Sequence, residues 1–211
     1  MGLQIQIKHL STPSTVLLHD LNLEIPSGVI HTVMGPSGSG KSSLLSAVAG
    51  TLPDGLQVDG VVTLHGIDLT HLPTERRRVG LLFQDDLLFA HMTVRENLLF
   101  AVPTWPKTQR QEAVAQALRD AELEAFADAD PATLSGGQRG RIALMRALLA
   151  EPLALLLDEP FAKLDSALRE RMREFVFATV RKRGIPGLMV THDTGDVADV
   201  AHLTLLSTCQ S

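Results

Sequence analysis

Gly35-Pro36-Ser37-Gly38-Ser39-Gly40-Lys41-Ser42 stands between an apolar run, Val29 to Met34, and a segment of helical spacing, Ser42 to Gly50. The run reads as a strand entering a glycine-rich turn, and Gly50 reads as the stop of the helix. The octapeptide fits G-x-x-x-x-G-K-[ST] in the strand, loop, helix setting that this pattern requires. Glycines let backbone N–H groups converge on an anion with no Cβ in the way, and the helix start adds partial positive charge. Lys41 supplies a full charge for β- and γ-phosphates, and the Ser42 hydroxyl is placed to meet Mg²⁺. As a bare string this is also a flexible Gly/Ser turn. The flanking strand and helix favour a nucleoside triphosphate as the expected ligand.

Outward from the loop, strands and helices alternate. Leu3, Ile5 and Ile7 alternate with polar residues, as do Leu21, Leu23 and Ile25, so an antiparallel β layer is expected to open the chain. Val61 to His65, Val79 to Phe83, Leu153 to Leu157, Gly187 to Thr191 and Leu203 to Leu206 read as further strands. Gly136 to Leu149, Ala167 to Arg183 and Asp193 to Val200 read as helices. Between Gln84 and Leu134 no strand-like run occurs; Val94 to Ala101 and Gln109 to Leu123 are helical, with Ala113, Ala117, Leu118 and Ala121 as a core stripe. The expected fold is α/β: a P-loop NTPase core with a mostly parallel sheet, an N-terminal antiparallel β layer and an inserted helical subdomain. Residues 1–211 read as one domain, with the core at about 1–84 and 151–211 and the helical subdomain at about 85–150.

Composition narrows the function classes. The 211 residues are 45% hydrophobic and carry a net charge of −5, which suits one well-cored domain and disfavours a surface that hugs nucleic-acid phosphates. The single Cys209, expected as an inert tail thiol, permits no intrachain disulfide and no cysteine metal cluster. No apolar stretch is long enough to span a membrane, and MGLQIQIKHLS lacks the basic and apolar regions of an export signal. The Arg76-Arg77-Arg78 and Arg181-Lys182-Arg183 runs read as solvated faces or helix ends, and Trp105 as a loop anchor.

Leu153 to Leu157 ends in Asp158-Glu159, at the C-terminal strand edge where open α/β sheets bind ligands. Successive residues leaving a strand point different ways, so Asp158 can face Mg²⁺, through water, while Glu159 faces the space beyond the γ-phosphate. Glu159 is the expected group to orient the attacking water or accept its proton.

Leu134-Ser135-Gly136-Gly137-Gln138 reads as a second amide-lined helix start, with Ser135 as N-cap; alone it is an ordinary helix beginning. With it the chain resembles the ATP-binding subunits of ABC transporters. The shared ordered motifs are residues 35–42, Gln84, 134–138, 153–159, Asp165 and His192, and they span almost the whole chain. The resemblance implies that two copies pack head to tail, with Ser135, Gly136, Gly137, Gln138 and Asp165 acting in trans on the nucleotide of the other copy. It implies ATP contacts from residues 35–42, Ser43 and Gln84, Mg²⁺ contacts from Ser42, Gln84 and Asp158, and catalysis by Glu159 with His192 at the γ-phosphate. Asp165 reads equally as an N-cap for the following helix.

This chain departs from the family in several places. It has no Tyr, and only Val16, Leu17 and Leu18 stand where the family stacks an aromatic ring on adenine. Lys163 replaces a small residue and Gly140 interrupts a helix, though neither is expected to touch the phosphate chemistry. The sequence ends just after Leu203 to Leu206, so inhibition through a regulatory β domain is not expected.

Asp85-Asp86-Leu87-Leu88-Phe89-Ala90-His91-Met92 is expected to dock membrane-partner helices, with Gln84 reporting the γ-phosphate to that groove. The implied function is ATP hydrolysis in a homodimer that drives solute uptake through separate integral membrane permease subunits, with a solute-binding protein and without nucleic acid. The implied location is peripheral, on the cytoplasmic face of the inner (plasma) membrane. Two other readings stay open here, a mechanical ATPase acting on DNA or ribosomes and a non-hydrolysing nucleotide switch.

Overall fold

The computed structural model describes residues 2–207; Cys209 lies outside the described residues. In chain order the strands and helices are β1 (Gly2–Ser11), β2 (Val16–Pro26), β3 (Ile30–Met34), α1 (Lys41–Ala49), β4 (Gln57–Leu64), β5 (Ile67–Asp68), α2 (Thr74–Arg77) and β6 (Val79–Leu82). They continue with α3 (Val94–Ala101), α4 (Lys107–Asp120), α5 (Gly136–Leu149), β7 (Ala154–Asp158), α6 (Ser166–Arg183), β8 (Gly187–Thr191) and β9 (Leu203–Leu205). The antiparallel sheet has the order β2-β1-β4-β5, and the parallel sheet the order β6-β7-β8-β3-β9. No helix among the described residues is long and apolar enough to cross a membrane.

Side-chain alternation divides the core into two layers. On β7, Ala154 and Leu156 join a cluster with Leu3, Ile5 and Ile7 of β1 and Leu44, Leu45 and Val48 of α1. Leu155 and Leu157 face the other way, into a cluster with Leu98, Leu118, Ile142, Leu144 and Val176. The parallel sheet is thus apolar on both faces, which is why Leu153 to Leu157 is an unbroken apolar run while β1 alternates. Ala117, Leu118 and Ala121 of the expected stripe are buried; Val114 is buried too, while Ala113 is half-buried.

Two expectations change. Asp193 to Val200 is not a helix: Asp193 accepts from Gly195 N–H and Asp199 from Ala201 N–H, and these bonds hold two short 3₁₀ turns, Thr194–Asp196 and Val200–His202. Aspartate side chains compete with the helical ladder in this way. Arg77 is also not solvated, with 7% of its surface exposed. Its guanidinium donates to Ala47 O and Val48 O at the end of α1, at 3.0 and 2.9 Å, and to Thr70 O and Leu72 O in the loop before α2, at 3.1 and 2.8 Å. Gly50 adopts φ 77°, and a Cβ there would lie 2.5 Å from Arg77 Nε, so both the turn and the guanidinium require glycine. Arg76, Arg78, Arg181, Lys182 and Arg183 are exposed as expected, although Arg183 donates to Leu148 O at 2.7 Å.

Arg77→Met should strip these carbonyls of their donor and cost about 2–4 kcal/mol, whereas Arg76→Met should stay within about 0.5 kcal/mol. Urea unfolding followed by circular dichroism measures both, through midpoints at unchanged slope.

Candidate functional site

The loop from Gly35 to Gly40 leaves β3 at the C-terminal edge of the parallel sheet. Gly38 and Gly40 take φ 81° and 85°, where L side chains are strained. A Cβ on Gly40 would also press on Leu17 and Leu18 at 3.2 and 3.1 Å, and one on Gly35 would meet Ser39 Oγ at 2.8 Å. Gly40 is the N-cap of α1, and no side chain bonds that helix start. By contrast α3 and α5 carry full capping boxes and α6 is capped by Asp165. The first amides of α1 are therefore left for a ligand, beside an ammonium: Lys41 Nζ arches over the loop to Gly35 O and Pro36 O, both at 2.7 Å. Pro36, Ser37 and Ser42 are exposed, Ser43 is half-buried and Ser39 is buried.

Asp158 closes β7, largely buried at 8% exposure. Burial pushes its pKa above the ordinary carboxylate value; a hydrogen bond from the Ser42 hydroxyl opposes the rise, the Glu159 charge adds to it and the Lys41 ammonium counters it. Ser42 and Asp158, distant in sequence, therefore meet as expected. A hydroxyl with a carboxylate suits a hard cation that keeps waters and phosphate oxygens. Ser42 and Asp158 offer oxygen donors only, the donor chemistry that Mg²⁺ takes.

Glu159 adopts φ 45°, a left-handed conformation that costs a non-glycine residue about 1–2 kcal/mol. Its N–H still bonds Val190 O at 2.9 Å, so the chain turns off β7 without leaving β8. The turn brings Glu159 Oε1 to 2.9 Å from His192 Nδ1, a direct bond that reading the residues separately does not reveal. His192 is held from both sides. Thr191 Oγ1 donates to buried Asp196 and accepts from Asp193 N–H, each at 3.1 Å, and Asp193 pairs with Arg169 of α6. Burial raises the Asp196 pKa.

Ser135 and Gln138 cap each other: Gln138 N–H donates to Ser135 Oγ at 3.3 Å and Ser135 N–H to Gln138 Oε1 at 2.8 Å. Gly136 and Gly137 occupy the first turn of α5, and a Cβ on Gly137 would lie 3.0 Å from Lys163 O. Asp165 caps α6 through Leu168 N–H at 3.0 Å, so its reading as an N-cap holds. Gln84 is exposed after β6, and its carbonyl accepts from Lys163 Nζ at 2.9 Å. Lys163 thus meets the backbone of Gln84, a contact that its place in the sequence does not signal. Reading the sequence gave no charge partner to Asp86, placed only in the docking segment, to Asp193, placed only in a helix, or to Arg139 and Arg169. Only the charge of Asp86 and Arg139 signalled a pairing, and they stand 53 positions apart.

Fold and loop together define a P-loop nucleotide-binding protein with a helical layer set against its parallel sheet. The sequence pattern of the ABC transporter family matches residues 18–162, more than half of the chain. The ABC transporter ATP-binding protein YnjD of Escherichia coli K12 is 49% identical over 189 residues, covering 89% of this chain and 87% of YnjD. The sulfate/thiosulfate import ATP-binding protein CysA of Salmonella typhi is 40% identical over 207 residues, covering 95% of this chain. The chain spans 56% of the length of that relative. The dimeric ATP-binding cassette MJ0796, solved in a post-hydrolysis state with ADP and Pi, superimposes with a TM-score of 0.83 at 28% identity, covering 99% of this chain and 97% of that one. The chain belongs to the ABC transporter family, and within it to the ATP-hydrolysing cassettes.

Because the folded-state pKa of Asp158 is raised, its protonated form favours folding, a contribution present at low pH and lost as pH rises through the folded value. Asp158→Asn should therefore raise the urea midpoint of the nucleotide-free protein at neutral pH. The gain should vanish on acidification below the ordinary carboxylate range, and ATPase activity should be lost at every pH. Urea titrations across that pH series check the sign.

Proposed function

We propose that this chain hydrolyses ATP between two of its own copies, and that the cycle of closure and reopening drives solute uptake through separate membrane permease subunits. The observation that carries the reading is the convergence on one sheet edge of an uncapped helix start, Lys41, Asp158 and the bonded pair Glu159 and His192. The molecule is read as one cassette, with core residues 1–84 and 151–211 and a helical subdomain at 85–150. The first amides of α1 and Lys41 hold the phosphates; Ser42, Gln84 and, through water, Asp158 would hold Mg²⁺, which would supply positive charge to the phosphate chain. Glu159 receives the proton of the attacking water. His192 Nδ1 fixes the Glu159 carboxylate and leaves Nε2 for a γ-phosphate oxygen.

Ser135, Gly136, Gly137, Gln138 and Asp165 serve the nucleotide of the other copy. Support comes from the dimeric MJ0796 structures and from the start of α5, where the capping box takes the N–H groups of Ser135 and Gln138 but not those of Gly136 and Gly137. Uptake is supported by likeness to a sulfate/thiosulfate import protein, and implies a solute-binding protein and a place on the cytoplasmic face of the membrane.

The permease surface is the groove of about 310 Å³ between β6 and α5, lined by Phe83, Asp85, Phe89, Phe100 and Arg146. Phe100 is 63% and Leu87 55% exposed, while Phe89 lies edge-on to Phe100 at 4.9 Å and under the Arg146 guanidinium at 5.3 Å. Buried Asn97 holds the loop beside the groove, donating to Phe89 O, Met92 O and Thr93 O and accepting from Phe89 N–H.

Glu159→Gln should slow turnover about 100- to 1,000-fold while retaining ATP binding, and with ATP and Mg²⁺ should elute as a dimer in size-exclusion chromatography. A monomer under those conditions, or turnover equal to the parent, would contradict the sandwich and the base respectively. Phe100→Asp should abolish co-purification with the permease and ATP-dependent uptake, while the isolated subunit keeps its ATPase rate within about twofold.

A further inference from the structure

We propose that Lys163 is a positioning residue that clamps the Gln84 loop to the turn following β7 and to the start of α5, so that these segments move together. The inference deepens the ATPase reading and rests on it only for its kinetic consequence. Lys163 Nζ donates to Gln84 O at 2.9 Å and lies 3.4 Å from Asp86 Oδ1. The other carboxylate oxygen of Asp86 accepts from Arg139 Nε at 3.3 Å, and Arg139 Nη1 donates to Leu134 O at 2.6 Å. One carboxylate, 11% exposed, therefore joins a cation from the turn after β7 to a cation from the first turn of α5. Only the carboxylate is shielded: the Lys163 and Arg139 side chains are 42% and 36% exposed, so solvent screens both pairs in part.

The backbone completes the junction. A Cβ on Gly137 would stand 3.0 Å from Lys163 O, and one on Gly136 would stand 3.8 Å from Lys163 Cδ, so residue 163 lies directly on the two glycines of the 134–138 segment. Gly140, which costs its helix intrinsic stability, lies beside the same carboxylate: a Cβ there would stand in ordinary van der Waals contact with Asp86 Oδ1, at 3.5 Å. The two departures from the family pattern thus flank the same carboxylate.

Lys163 differs in origin from the other ties on this loop. Arg146 of α5 donates to Leu87 O at 2.9 Å, Asn97 of α3 holds Phe89, and Arg139 of α5 holds Asp86. Those three fasten residues 86–89 to the helical layer. Lys163 fastens Gln84 and Asp86 to the segment that carries Glu159. Its side chain is 42% exposed, so the clamp is reachable by water and its loss leaves the core intact. Without it, Gln84 follows the helices alone and loses its fixed relation to Glu159.

The test compares the parent, Lys163→Ala and Lys163→Arg as full chains. Without nucleotide, amide hydrogen exchange at residues 84–88 should rise about 3- to 10-fold in Lys163→Ala, with β1 and β2 unchanged. In steady-state hydrolysis its kcat should fall about 3- to 10-fold with KM for ATP within about twofold, and Lys163→Arg should restore both readouts at least halfway. Unchanged exchange at 84–88 in Lys163→Ala would overturn the clamp, as would a defect that arginine does not restore at all. A parent chain without ATPase activity would overturn the functional reading, while the exchange comparison would still decide the clamp.

Discussion

The register of three neighbouring parallel strands is the constraint from which the site follows. Met34 pairs with Thr191, and Asp158 pairs with Val190, so β3, β7 and β8 end at one level. Residues that follow those ends are far apart in sequence: the phosphate loop from Gly35, Glu159, and His192. A parallel ladder buried on both faces allows no slip, because a shift of one residue would exchange the side chains facing the two apolar layers. The bond between Glu159 and His192 exists because Asp158 and Thr191 stop their strands within one step of each other.

At that edge the chain accepts unfavourable local states. Asp158 is buried next to another carboxylate, Glu159 takes a left-handed backbone and α1 begins without a side-chain cap. Each opposes folding, and each puts a donor, acceptor or charge where phosphate chemistry needs it. The surrounding core supplies the compensation: Leu155, Leu156 and Leu157 directly before the acidic pair are fully buried.

Polar side chains tie neighbouring segments together. Arg77 closes the end of α1, Asn97 holds the loop before α3, and Asp86 gathers Arg139 and Lys163. Such groups are stable only when fully partnered, so they fix geometry more sharply than apolar contacts of equal size. The loop carrying Gln84 lies among these ties, between the acidic strand and the groove assigned to the permease.

Local physics made much of this molecule legible in the sequence. The alternation of Leu3, Ile5 and Ile7, the run before Asp158, the stop at Gly50 and the box of Ser135 with Gln138 all depend on residues within a few positions of one another. The ordered motifs named the candidate phosphate, metal and acid–base groups for the same reason, since each is a short string with its own chemistry. Tertiary structure decided the rest. It placed β7 beside β8 and so joined Glu159 to His192; it buried Arg77 against α1, 29 and 30 residues earlier; and it set Lys163 on Gln84 O, 79 residues away. It also replaced the expected helix at 193–200, because Asp193 and Asp199 turned their carboxylates onto nearby amides while Arg169 held Asp193. A charged side chain carries no mark of its partner in its neighbours along the chain; only the packing of the layers selects which opposite charge or open carbonyl comes within reach.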